Sequence, residues 1–161
     1  MKHRDRVLMA LHHEKPDRCP MQISFTPEFA DRLREDLHIK GQQLHNPHGG
    51  GNTYQLERVL DEDMLLTSVG WANSYYQERG PYVDEWGVGW DVQPYDTPFG
   101  RGWYTEIVHH PLADETAIAA YQPPDPDRPE LYTEAARVIR NFKDEYWIVG
   151  VTVTTIFETA W

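Results

Sequence analysis

The spacing of hydrophobic positions changes several times along this chain, and each change marks an element. Tyr146 to Ile156 (Tyr-Trp-Ile-Val-Gly-Val-Thr-Val-Thr-Thr-Ile) is β-branched and almost continuously apolar. That pattern predicts a strand buried on both faces of a parallel sheet. Before it, Leu131, Ala135, Val138 and Phe142 share one helical stripe, which predicts a long helix from Pro129 to Asp144. Asp127 and Glu130 have the spacing of an acidic capping box for it. Near the start, Val7, Leu8 and Leu11 predict a helix over Arg4 to His13, broken by Lys15-Pro16-Asp17. Pro20 to Phe25 reads as a short strand. Thr26-Pro27-Glu28 then starts a helix with a hydroxyl cap, a first-turn proline and an early acid, and Phe29, Leu33 and Leu37 line it.

His45 to Gly51 is a loop, and Asn52 to Leu60 a short helix with Leu56, Val59 and Leu60 inward. Asp61-Glu62-Asp63 leads into a second strand, Met64 to Val69. Strand alternating with helix predicts a parallel sheet. Residues 70–108 differ, being rich in Trp, Tyr, Gly and Pro. The segment Glu85-Trp86-Gly87-Val88-Gly89-Trp90 predicts an antiparallel ribbon inserted on top of that sheet. Only Phe157 to Trp161 follow the last predicted strand. The expectation is therefore the N-terminal part of a larger α/β enzyme.

Composition narrows the function. The 161 residues carry 15 basic and 26 acidic side chains, a net charge of −11. That balance argues against a nucleic-acid or anionic-membrane surface, which needs clustered Lys and Arg. The basic run Lys2 to Arg6 is interrupted by Asp5 and reads as a solvated helix start. The single cysteine, Cys19, has no intrachain partner, as in a reducing compartment. The apolar stretch Val7 to Leu11 gives way to His12, His13 and Glu14, unlike a secretory signal, and no stretch has the length of a membrane span. A cytoplasmic protein is expected.

Several short motifs occur in order over nearly the whole chain. They are Arg4-Asp5-Arg6-Val7-Leu8-Met9-Ala10-Leu11, Glu14-Lys15-Pro16-Asp17-Arg18-Cys19-Pro20, Asp84-Glu85-Trp86-Gly87, His110-Pro111-Leu112-Ala113, Pro124-Asp125-Pro126-Asp127 and Ile156-Phe157-Glu158-Thr159-Ala160-Trp161. Together they resemble the uroporphyrinogen decarboxylase-like superfamily, which includes corrinoid-dependent methyltransferases. The resemblance implies a partial (β/α)8 TIM barrel, its first three βα units, with the β-ribbon inserted after the second strand. All of 1–161 would then belong to one barrel domain, with working residues at the C-terminal strand ends.

Two departures bear on activity. The decarboxylases carry an arginine-bearing loop after their first strand, whereas here Phe25 passes directly to Thr26-Pro27-Glu28. They also end their second strand in Phe-Ser-Asp, and Ser68 stands at that aspartate position, where serine supplies no charge to a protonated pyrrole. The resemblance therefore implies methyl transfer to a metal-activated thiol more than porphyrinogen decarboxylation. A non-catalytic binding domain is the alternative of another class. Partners would be a small-molecule or tetrapyrrole substrate and a corrinoid protein. Zinc and a corrinoid would serve the complete enzyme, with no cofactor held by this segment alone.

The candidate catalytic residues are Glu158, as general base or hydrogen-bond acceptor, and Ser68, as hydrogen-bond donor. Against them stand a helix-start acid and a small residue filling a strand end. Candidate substrate contacts are Phe25, Trp71, Trp86, Trp90 and His110, and the bland reading of the tryptophans is the ribbon's own core. Trp103, Tyr75 and Tyr76 share that choice. The eight histidines give the pairs His12-His13, His45/His48 and His109-His110, none with metal-ligand spacing alongside a cysteine. Asp61, Glu62 and Asp63 precede the second strand, where charge serves stability.

Overall fold

The computed structural model describes residues 1–40, 51–70 and 80–152. It is a mixed α/β structure with one small parallel and one antiparallel sheet. Helix α1 spans His3–Leu11, α2 Pro27–Asp36 and α3 Gln55–Val59. Strand β1, Met64–Thr67, follows. The ribbon comprises β2 (Tyr82–Val83), β3 (Gly89–Thr97) and β4 (Gly100–His109). Helix α4 spans Glu115–Ala120, a 3-10 turn Pro129–Tyr132, helix α5 Thr133–Phe142 and strand β5 Trp147–Gly150.

Strands β1 and β5 pair in parallel, Met64 opposite Trp147 and Thr67 opposite Gly150. The backbone bonds Trp147 N–H to Asp63 O (3.1 Å) and Val151 N–H to Thr67 O (2.8 Å) extend the ladder. Leu65 and Val138 are wholly buried between this pair and α5, with Tyr54, Phe142, Tyr146 and Ile148 packed around them. Of the predicted stripe, Val138 and Phe142 pack here, whereas the α-helix begins at Thr133 and the buried Leu131 sits on the preceding 3-10 turn. Within the predicted insertion, residues 82–109 form an antiparallel ribbon, ordered β2-β3-β4, and residues 71–79 lie outside the described residues.

The two sheets form no closed barrel among the described residues. Several expectations need correction. Pro20 to Phe25 is extended but joins no ladder. Its amides are taken by carboxylates: Met21 N–H donates to Asp63 Oδ2 (2.8 Å) and Ile23 N–H to Glu62 Oε2 (3.2 Å). Only Met21 O, accepting from Asp63 N–H at 2.8 Å, keeps a strand-like bond. Strand β5 is half-buried from Trp147 to Val149 and exposed at Gly150, because β1 is its single ladder neighbour among the described residues.

Helix caps also differ. The Thr26 hydroxyl donates to Glu28 Oε1 (2.6 Å) and caps no amide. The Asp127–Glu130 capping box does not form, since Asp127 N–H bonds to Asp125 Oδ1 (2.9 Å) in an Asx turn. Val59 points outward, 57% exposed. Helix α4 has no counterpart in the sequence reading, although Asp114 caps it by accepting from Ala117 N–H (2.8 Å). The His45–Gly51 loop, apart from Gly51, lies outside the described residues.

The basic helix start is solvated at Lys2 and Asp5, but its cations also make specific bonds. Arg4 N–H and Nη1 donate to Glu145 O (2.9 Å) and Lys143 O (2.6 Å), and Lys2 Nζ donates to Asp144 O (3.0 Å). Cations thus satisfy carbonyls at and beyond the C-terminus of α5. Arg6 is buried and forks onto Asp17, with Nε to Oδ1 at 2.6 Å and Nη2 to Oδ2 at 2.9 Å. Its Nη1 also bonds Asp63.

Asp63, with no exposed surface, is the centre of this network. It meets His3 Nδ1 (3.0 Å), Arg6, and Arg18 Nη1 (2.6 Å), besides the Met21 amide. Burial pushes its pKa up, but the Met21 amide, His3, Arg6 and Arg18 outweigh this and hold it below the usual carboxylate range. Removing the charge would leave Arg6 buried beside an uncompensated site. Asp63→Asn should therefore destabilise the fold by about 3–5 kcal/mol, read from urea unfolding midpoints; a loss under about 1 kcal/mol would contradict a central role.

Candidate functional site

Ser68 follows β1 directly and is buried, only 6% exposed. With Thr67, Val151 and Thr152 it lines an open cavity of about 650 Å³ that runs along β5 to Tyr146 and Lys143. It stands where a parallel α/β sheet presents its site, beyond the carboxyl end of a strand. The cations at this cavity, Arg4 and Lys143, lie toward the other end of β5. Arg4 there bonds the Lys143 carbonyl.

The ribbon tryptophans are set by one carboxylate. Asp84 Oδ1 accepts from Trp86 N–H (2.9 Å) and Val88 N–H (3.0 Å), and Oδ2 accepts from Trp90 Nε1–H (2.8 Å). Gly87 closes the turn at φ +80°, a conformation that glycine adopts without steric penalty. Trp90 is 8% exposed and stacks on Tyr82, ring centroids 6.4 Å apart. Tyr121 donates its hydroxyl hydrogen to Trp86 O at 3.0 Å. Trp103, 37% exposed, carries Arg101 over its ring at 5.2 Å. His110 is exposed just beyond β4.

Phe25 lies elsewhere, in a small cavity of about 70 Å³ between Gln22–Phe25, α2, α3 and β1. Ser68, Phe25 and the Trp86–Trp90 pair therefore occupy three separate places. Trp71, Tyr75, Tyr76 and Glu158 lie outside the described residues, as do His45 and His48.

Phe25's cavity contains charged groups that the sequence reading assigned no chemistry: Arg34 from α2, Glu57 from α3, and Glu62 just before β1. Glu62 has no exposed surface. Burial chiefly pushes its carboxyl up to about 7; the Ile23 amide opposes this, while Glu57 and Asp63 add to it. The local signal was the three-acid run entering an apolar strand. Asp61 has a left-handed backbone, φ 59°, and is exposed, whereas the next two acids are buried.

No three His, Cys, Asp or Glu side chains converge as a metal site among the described residues. No helix among them is long and apolar enough to cross a membrane. No known protein family, curated protein or solved structure matches the chain.

The Glu62 shift has a definite sign. Its folded-state pKa is raised, so its contribution to stability is full below the ordinary value and is lost as pH rises through about 7. The full loss is on the order of 3 kcal/mol. Glu62→Gln should abolish that part of the pH dependence, so its stability relative to the parent should rise from pH 5 to pH 8, as measured by urea unfolding. Parallel stability–pH profiles for the two proteins would contradict the assignment.

Proposed function

We propose that this chain supplies the first three βα units of a (β/α)8 enzyme of the uroporphyrinogen decarboxylase-like superfamily, of the corrinoid-linked methyltransferase type. The observation that carries the reading is the parallel β1–β5 pair with Ser68 at a strand's carboxyl end. The extended Pro20–Phe25 segment, which touches Asp63 at the start of β1, stands for the first strand. The inserted ribbon and the ordered motifs support the same reading.

Phe25 runs straight to the Pro27 start of α2, with no intervening arginine loop to hold several substrate carboxylates. That favours methyl transfer to a thiol over porphyrinogen decarboxylation. Bound zinc would supply a thiolate at neutral pH by lowering the thiol's pKa. In this chain Ser68 would donate a hydrogen bond to the substrate, and Glu158 would hold or accept a proton. Partners are a small-molecule or tetrapyrrole substrate and a corrinoid protein, and the location is cytoplasmic.

The test is an assay of the complete protein containing this chain, with methylcobalamin plus a thiol and separately with uroporphyrinogen. Methylated thiol without coproporphyrinogen is expected. Decarboxylated porphyrinogen would overturn the choice of reaction. No turnover in either assay would turn the reading toward a binding domain. Ser68→Ala should lower kcat/KM by about tenfold through one lost hydrogen bond, and unchanged kinetics would remove Ser68 from the site.

A further inference from the structure

The small cavity behind Phe25 has an unusual lining. Arg34 Nη1, Glu57 Oε2 and Glu62 Oε1 are all buried, and none has a hydrogen-bond partner among the described residues. All three side chains line this one cavity of about 70 Å³. Buried polar atoms are nearly always satisfied, so each orphan needs an explanation. Here one donor and two acceptors stand unused around one space. The Glu62 side chain is held from behind, because its Oε2 accepts from Ile23 N–H at 3.2 Å. Oε1 is thus left for the cavity.

Apolar groups from Phe25, Ala30, Leu56 and Met64 complete the walls. Gln22 and Ser24 also line the cavity and are exposed, so the mouth lies on their side. The volume accommodates about five waters or a group of about four or five non-hydrogen atoms.

We propose that this cavity binds a carbamoyl group, the terminal –C(=O)NH2 of a small molecule or of an amide side chain. Such a group matches the lining one for one. Its carbonyl accepts from Arg34 Nη1, and its two N–H bonds are directed to Glu57 Oε2 and Glu62 Oε1. A carboxylate ligand would satisfy Arg34 but place a third anion beside two acids. An amidinium would satisfy the acids but set a cation against Arg34. The site is separate from the Ser68 cavity and does not depend on the reaction proposed above.

Titration at pH 8, where Glu62 is ionised and Oε1 accepts, with acetamide, acetate and acetamidinium, followed by the backbone amide NMR shifts of Ile23, Phe25 and Leu56, tests the assignment. Acetamide should saturate these shifts and bind more tightly than either charged probe. Glu62→Met and Arg34→Met should each weaken it by about tenfold. Equal or tighter binding of acetate or acetamidinium would overturn the proposal. So would the absence of saturation by any probe, which would mean a cavity filled by water only. If either variant fails to fold, the ranking of the three probes on the parent protein decides alone. A capped glutamine that binds more tightly than acetamide would assign the group to a peptide; the reverse order would assign it to a free small molecule.

Discussion

A single buried carboxylate fixes the geometry of the N-terminal half. Asp63 is withdrawn from water, and a lone carboxylate there would lose its proton-free form. The Met21 amide, His3, Arg6 and Arg18 prevent that, and each arginine brings its own segment with it: Arg6 anchors α1, and Arg18 the turn before Met21. His3, also bonded to Asp63, stacks its ring on Tyr146 at 4.5 Å. Helix α1, the extended segment, β1 and the approach to β5 therefore meet at one charge. The arrangement is specific because buried ion pairs gain little net energy unless every remaining bond is made. Here the Met21 amide and Asp17 supply the remainder.

The same network accounts for the failure of Pro20 to Phe25 to join the parallel sheet. An amide bonded to Asp63 or Glu62 cannot also bond a strand carbonyl. The segment Met21–Phe25 is held beside β1 by side chains instead of by a ladder, and the space left between them is the small cavity. Exclusion from the ladder and the formation of a polar cavity are thus two results of one placement: two successive acids turned inward at the start of a strand.

What was legible in the sequence was local. The Pro27 helix start, the Leu131–Phe142 stripe, the two parallel strand cores and the ribbon all follow from periodicity and turn residues within short windows. What was not legible depends on distance. Nothing near Asp63 in the chain announces Arg6, 57 positions away, or Arg18, 45 positions away, so its burial could not be read from its acidic neighbours. Likewise the Thr26 hydroxyl matched a cap by type, but its hydrogen is directed to the Glu28 carboxylate and its oxygen accepts from no helix amide. Of the candidate site, Ser68 was legible because a strand end can be counted. The Arg34–Glu57–Glu62 cavity was not, because its charges come from three elements.

Helix α2 links the two halves of the structure, although none of its residues is buried. Its position rests on half-buried residues that touch β4 at its first turn and α3 further along. Phe29 packs between Phe25 (5.6 Å) and Phe99 (4.8 Å). Glu28 accepts a hydrogen bond from the Tyr95 hydroxyl at 3.2 Å; burial pushes its pKa up, but the Thr26 hydroxyl, its own backbone amide and Tyr95 together hold it below the ordinary value. Tyr95 itself lies flat over β4 because Gly102 has no side chain; a Cβ there would fall inside the ring. The ribbon thus grips the first turn of α2, and Arg34 near the other end is delivered into the cavity beside Glu62. With so little of its own surface buried, α2 has no independent reason to hold that orientation. The placement of Arg34 against the two acids is consequently set by the ribbon as much as by the helix that carries it.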